Sequence, residues 1–152
     1  MKFLVDSSLG RLSTWLRILG YDTVYWRGAA DRVFLRIAER QGRAVLTRRK
    51  DVLARQHPGI ILFVESDRVD DQIVEVFGKL GFRPEPEKFF TVCLRCNESL
   101  KEAAPDEVRP RVPDYVFRTQ KSFRVCPKCG RVYWSGTHRE RALSTLKRIL
   151  ER

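Results

Sequence analysis

The sequence predicts an α/β protein, a parallel sheet flanked by helices over residues 1–82, followed over 83–152 by a small cysteine ribbon and a terminal helix. Three observations carry this expectation. Short apolar runs alternate with amphipathic stretches through the first half of the chain, the rhythm of consecutive β–α units. The run Arg83-Pro84-Glu85-Pro86-Glu87 cannot continue a helix and reads as a linker. The only cysteines fall beyond it, in two CxxC pairs.

Lys2 to Val5 is a β-rich run closed by Asp6. Leu9, Leu12, Leu16 and Leu19 then recur at helical spacing until Gly20 supplies a stop. Thr23 to Trp26 reads as the second strand. Asp31 opens a helix whose inner face would hold Phe34, Ile37 and Ala38. Arg43 to Thr47 and Ile60 to Val64 read as the third and fourth strands. Asp70 to Leu80 follows as a helix with Ile73, Val76, Phe77 and Leu80 inward, ended by Gly81. Beyond the linker, Phe89 to Val92 leads into the first cysteine pair. Pro105, Pro110 and Pro113 mark loops, and Tyr115 to Phe117 reads as a short strand. Val132 to Trp134 is a ribbon strand. Arg139 to Arg152 is an amphipathic helix with Ala142, Leu143, Leu146, Ile149 and Leu150 on one side and Thr137 as its cap.

The pairs are Cys93-Leu94-Arg95-Cys96 and Cys126-Pro127-Lys128-Cys129. Each CxxC turn can clamp one edge of a tetrahedral metal, and four thiolates close a structural zinc shell with no open position for chemistry. Disulfides, packed thiols and a redox CxxC are the rival readings. The opening MKFLVDSS lacks a charged region followed by a long apolar run. No stretch approaches the roughly 20 apolar residues that span a bilayer. A cytoplasmic setting, where thiols stay reduced, therefore favours metal.

The formal net charge is +11, and arginine outnumbers lysine. Arginine presents a planar fork that matches phosphate and stacks on bases, so a nucleic-acid partner is expected through counterion release. Solubility or an anionic membrane surface would account for the same charge. Arg11, Arg48, Arg49 and Arg131, with His138 just after the ribbon strand, are the candidate RNA contacts. His57 precedes Pro58 in a loop and reads as a surface residue.

In an open α/β sheet ligands gather at the carboxyl ends of the strands. Asp6, Asp31, Asp51 and Asp67 each fall near such an end, with Ser7, Ser8 and Thr47 beside them. Carboxylates converging there could hold magnesium or manganese and support an in-line phosphoryl displacement. Each acid also has a plainer role, since Asp31, Asp67 and Asp70 are natural helix caps and Asp51 could cap a short helix. Asp6 is the hardest to dismiss, because Asp is disfavoured in strands and here closes an apolar one. No Gly-rich phosphate cradle is present.

The opening FLVDSSLGRLSTWLRILGYDT, the following Asp31, the segment GRAVLTRRKDVL and the second knuckle in CPKCGRVYWSGTHRER resemble the Mut-seven C-terminal RNase domain family, from Met1 to about Leu143. The resemblance implies a PIN-like nuclease domain fused to a zinc ribbon, acting on RNA with magnesium or manganese at its acids. Position by position it carries Asp6 as the first acid and Asp31 as the second, and it matches all four ribbon cysteines. The third acid is expected directly after Leu46-Thr47-Arg48, where this chain has Arg49; Asp51 stands two residues on. Asp67 resembles an acid found after the fourth strand. The main alternative is a catalytically degenerate RNA-binding module, and a third reading is a protein-binding zinc ribbon in a processing complex. The residues indicate no oligomeric state.

Overall fold

The computed structural model describes all residues, Met1–Arg152. Four short strands, β1 (Phe3–Val5), β2 (Thr23–Tyr25), β3 (Ala44–Thr47) and β4 (Ile61–Phe63), form a parallel sheet in the order β2-β1-β3-β4. Phe3 pairs with Thr23 on one side and Ala44 on the other, and Val45 pairs with Ile61. The central strands β1 and β3 are buried along their whole length, which is why they read as continuous apolar runs rather than alternating ones.

The period of two assigns their side chains to two layers. Phe3, Val5, Ala44 and Leu46 join one core, while Leu4 and Val45 join the other. The first core is covered by α1 (Gly10–Ile18) and α4 (Val69–Leu80), through Leu12, Leu16, Ile73, Val76 and Phe77. The second is covered by α2 (Arg32–Gln41) and the single turn α3 (Lys50–Leu53), through Phe34, Leu35, Ala38 and Val52. Ile37 is only partly buried there. Gly42 and Gly81 end α2 and α4 in the left-handed conformation, with φ of 64° and 77°, where a Cβ would be strained.

After the linker, one 3-10 turn (Pro86–Lys88) delivers Phe89 into the first core. A second sheet, β5 (Lys101–Ala103), β6 (Phe123–Val125) and β7 (Val132–Trp134), is antiparallel in that order. It encloses a small core of Val108, Val112, Val116 and Phe123 with α5 (Pro105–Val108) and α6 (Asp114–Thr119). The expected strand at Tyr115–Phe117 is thus part of α6. Val112 and Val116, four residues apart, meet on one face, so helical spacing wins over the local β-rich composition.

The chain ends in α7 (Thr137–Leu150). Thr137 does not cap it: Gly136 occupies the cap position and no side chain bonds there. Leu146 and Ile149 enter the first core, beside α1 and α4, whereas Leu143 faces outward at 40% exposure. Arg148 reaches Asp70 at 3.5 Å and Arg152 reaches Asp71 at 2.6 Å. Those two acids occupy the first turn of α4, after Arg68 at the cap position, where they complement the helix dipole rather than cap it.

Glu75 on α4 fixes the loop that follows β4. Its carboxylate accepts from the Glu65 and Ser66 backbone N–H groups at 2.8 and 2.9 Å, from Ser66 Oγ at 2.7 Å and from Lys79 Nζ at 2.8 Å. Burial would raise its pKa, but Lys79 and the loop donors outweigh that and hold it at about 2. A folded pKa below the ordinary 4.5 contributes stability at neutral pH that is lost as pH falls from there toward about 2. Glu75→Gln is expected to flatten this acid limb in urea titrations across that range. An unchanged limb would assign the acid sensitivity to other groups.

Candidate active site and cysteine metal centre

Asp6 follows β1, and its backbone N–H reaches across to Leu46 of β3 at 3.1 Å. The side chain is buried at 2% exposure. Oδ1 accepts from Ser8 N at 2.9 Å and from the Ser8 hydroxyl. Oδ2 accepts from the Thr47 hydroxyl and from Arg48 N at 3.1 Å. Thr47 Oγ1 in turn accepts from Arg49 N at 3.0 Å. The carboxylate therefore joins the carboxyl ends of β1 and β3, with both oxygens doubly satisfied. A depression of about 610 Å³ opens alongside, lined by Ser7, Ser8, Arg11, Tyr25, Asp67 and Arg68 among others.

Asp31 stands on the same edge, after the loop that follows β2, and is exposed. It caps α2: Oδ1 accepts from Val33 N at 3.0 Å and Phe34 N at 3.3 Å. Its second oxygen accepts nothing, so capping and cation binding are compatible here.

Asp51 and Asp67 are already paired. Arg49 grips Asp51 through two parallel bonds of 3.0 and 2.7 Å, and Arg48 holds Asp67 at 2.7 Å while also donating to Ser66 O at 3.0 Å. Arg49 holds the Asp51 carboxyl below its ordinary pKa. Asp51 pushes the Arg49 guanidinium up, with a smaller contribution from Asp6, so the Arg49 charge lies within the field of the buried carboxylate. Asp51 sits in the first turn of α3 and does not cap it; Arg49 occupies the cap position without a side-chain bond. No three acids bring their oxygens together as a metal-binding group, and the one such group in the chain is the four cysteines.

The four sulfurs lie within 4.8 Å of one another, and Cys93 Sγ is 3.9 Å from Cys129 Sγ. Zn–S bonds of about 2.3 Å in a tetrahedron require sulfurs about 3.8 Å apart, so the cluster could hold a structural metal such as zinc. Both knuckles are built alike. Gly130 N bonds Cys126 O and Asn97 N bonds Cys93 O, each at 2.9 Å, and both residues adopt positive φ, 75° and 61°. Cys96 N and Cys129 N point at the first sulfur of their own turn, at 3.4 and 3.5 Å.

Tyr133 on β7 closes the site: its hydroxyl lies 3.2 Å from Cys93 Sγ and accepts from Leu94 N at 3.2 Å. Burial would raise the Cys93 thiol, but the Tyr133 hydroxyl and neighbouring N–H groups prevail and bring it to about 6. Burial, Cys129 and Cys126 push Cys96 up to about 12. A divalent cation relieves this crowding by taking the place of the thiol protons.

Among the candidate RNA contacts, Arg11 is exposed on the depression beside Asp6. Arg131 stacks over the Tyr133 ring at 5.8 Å, and His138 is exposed in the first turn of α7. Arg48 and Arg49 are engaged with acids as described. His57, expected at the surface, is half-buried, with Nε2 shielded from solvent and unpartnered.

Asn97, the chain's only asparagine, carries a role the sequence reading did not assign. Its Oδ1 accepts from Thr23 N at 2.8 Å, on the outer edge of β2, and its Nδ2 donates to Asp22 Oδ1 at 2.6 Å. Arg17 adds a second tie, donating to Thr23 O at 3.0 Å and Leu94 O at 2.7 Å. The first knuckle is thereby docked on the edge of the parallel sheet. The usable signal was a lone Asn directly after a CxxC, where a left-handed residue is required.

Fold and site together define an α/β domain with acids at its sheet edge and a four-cysteine module docked against it. A family model for the Mut7-C RNAse domain matches residues 1–146, nearly the whole chain, and the chain belongs to that family. Membership makes this a ribonuclease-like domain and implies an RNA substrate. No curated protein and no solved structure matched it. No helix is long and apolar enough to cross a membrane.

Proposed function

We propose that the chain is a metal-dependent ribonuclease of PIN-like type, cleaving RNA phosphodiester bonds at the carboxyl edge of the parallel sheet. The observation that carries this reading is Asp6, a buried carboxylate set between β1 and β3 without an ion-pair partner, beside an open depression. Asp6 and the free oxygen of Asp31, with the Ser8 and Thr47 hydroxyls, form an all-oxygen donor set of the kind magnesium and manganese take. Such an ion would supply an activated water and neutralise charge on the phosphoryl oxygens. Ser8 and Thr47 orient the Asp6 carboxylate, and Arg11 receives the RNA backbone. The cysteine cluster holds one structural zinc and takes no part in the chemistry. The setting is cytoplasmic.

The alternative is a degenerate nuclease that binds RNA without cutting it. It is favoured by the Arg49–Asp51 and Arg48–Asp67 pairs, which spend two of the four candidate acids on arginines. Incubating a labelled, mixed-structure RNA with the protein separates the two readings, with manganese present or simply omitted so that the cysteine site is left alone. Manganese-dependent cleavage is expected. Tight binding with no cleavage at any manganese concentration would favour the alternative.

Arg49→Asp tests the altered position directly. Arg49 already has extended cap geometry at α3, with φ of −103° and ψ of 117° and no side-chain bond. Asp there should gain a cap worth about 0.5–2 kcal/mol and bring a third acid next to Thr47. Cleavage in manganese is expected to rise about tenfold or more, on the scale of one added transition-state charge contact. A more stable variant with no gain in cleavage would show that Arg49 was not what limited the site.

A further inference from the structure

A second depression, of about 590 Å³, lies between α2 and the segment joining α3 to β4. Arg32 and Arg36 line it from α2, and Arg55 and His57 from the connecting segment, with Glu39 as its one acid. Arg32 and Arg36 are four residues apart, one above the other on a single helix face, where like charges repel. All three arginines are exposed, and none makes a salt bridge or a side-chain hydrogen bond, although Glu39 stands three residues from Arg36. Elsewhere Arg17, Arg43, Arg48 and Arg49 are each committed to a carbonyl or carboxylate. His57 adds a buried nitrogen with no partner.

Guanidiniums gathered without a counter-charge are suited to an anion that presents several phosphates in a row. The lining has Leu35 as its one hydrophobic residue and offers no aromatic ring for a base to stack on, so the depression can read a backbone but not a sequence. It begins next to the acid-bearing edge, because Arg32 directly follows Asp31 in the chain. We infer that this depression carries the backbone phosphates of the RNA strand leading away from the edge where Asp6 and Asp31 stand. The inference rests on the ribonuclease reading and adds the path of the substrate and its lack of sequence preference.

The test is the binding of a labelled single-stranded oligouridylate to the full chain across a salt series, comparing wild type with Arg36→Gln/Arg55→Gln. Neither arginine has a partner to lose, so the variant should unfold at the wild-type temperature. The log–log slope of affinity against salt is expected to fall by about 1.4, or 0.7 for each of two single-strand phosphates released. Affinity near physiological salt should drop about tenfold or more. Arg36→Lys/Arg55→Lys should keep the wild-type slope, since the charges remain. A Gln variant that binds with the wild-type slope overturns the path while leaving the ribonuclease reading intact. Failure of the wild type itself to bind oligouridylate would overturn both.

Discussion

Cys126→Ser is expected to unfold the antiparallel module and to lower the thermal stability of the parallel sheet with it. Cys126 is buried at 1% exposure beside three other sulfurs. Losing a structural zinc removes apparent binding free energy of about 10–16 kcal/mol, as much as the whole stability of an ordinary domain. The consequence should not stop at the linker. The first knuckle holds the edge of β2 through Asn97 and Arg17, and Phe89, Leu146 and Ile149 fill the same core as Phe3 and Val5. A purely local effect would require separate cores, and the core around the parallel sheet runs across the linker. Calorimetry of wild type and variant, with metal analysis of both, checks this. One zinc per wild-type chain and a single transition shifted strongly downward in the variant are expected. A zinc-free wild type, or a variant with the wild-type transition, would mean that the cysteines are not structural.

Asp6→Asn is expected to abolish cleavage and also to weaken the fold. Both carboxylate oxygens accept two donors each, from Ser8, Thr47 and Arg48. An amide would place its own N–H groups against one of those donor pairs, leaving buried groups unsatisfied at a cost of about 1–3 kcal/mol. Cleavage in manganese should fall by about a hundredfold or more, the scale of losing one electrostatic group from an active site. Oligouridylate affinity should stay within about threefold at temperatures where the variant is folded, because arginines carry the binding. Cleavage unchanged in folded Asp6→Asn would point to another site.

What the sequence made legible is local. The β1 and β3 runs, the Asp31 cap, the glycine stops of α2 and α4 and the two knuckles all depend on residues within a few positions of one another. What it hid depends on distance along the chain. Asp6 meets Thr47 only because β1 and β3 are neighbours in the sheet, an adjacency that periodicity does not encode. The pairing of Arg49 with Asp51 and of Arg48 with Asp67 required side-chain geometry, although the presence of Arg49 after Leu46-Thr47-Arg48 already marked the position. Tyr115 to Phe117 looked extended because β-rich residues there outweighed the Val112–Val116 spacing; the small core around Phe123 reverses that preference. The docking of α7 on α4 rather than on the ribbon is likewise a tertiary choice, visible afterwards in Arg148 and Arg152 reaching Asp70 and Asp71.

Asp31→Asn offers the cleanest test of the nuclease reading, because asparagine caps a helix as well as aspartate does. The bonds from Val33 and Phe34 survive on the remaining oxygen, so only the charge and the free acceptor are removed. The measurement is manganese-dependent cleavage of labelled RNA by wild type and Asp31→Asn side by side, with the thermal transition and oligouridylate affinity recorded for both. The account predicts an unchanged transition, retained affinity and a loss of cleavage of about a hundredfold. Equal cleavage by the two proteins would contradict it, and would remove Asp31 from the metal site.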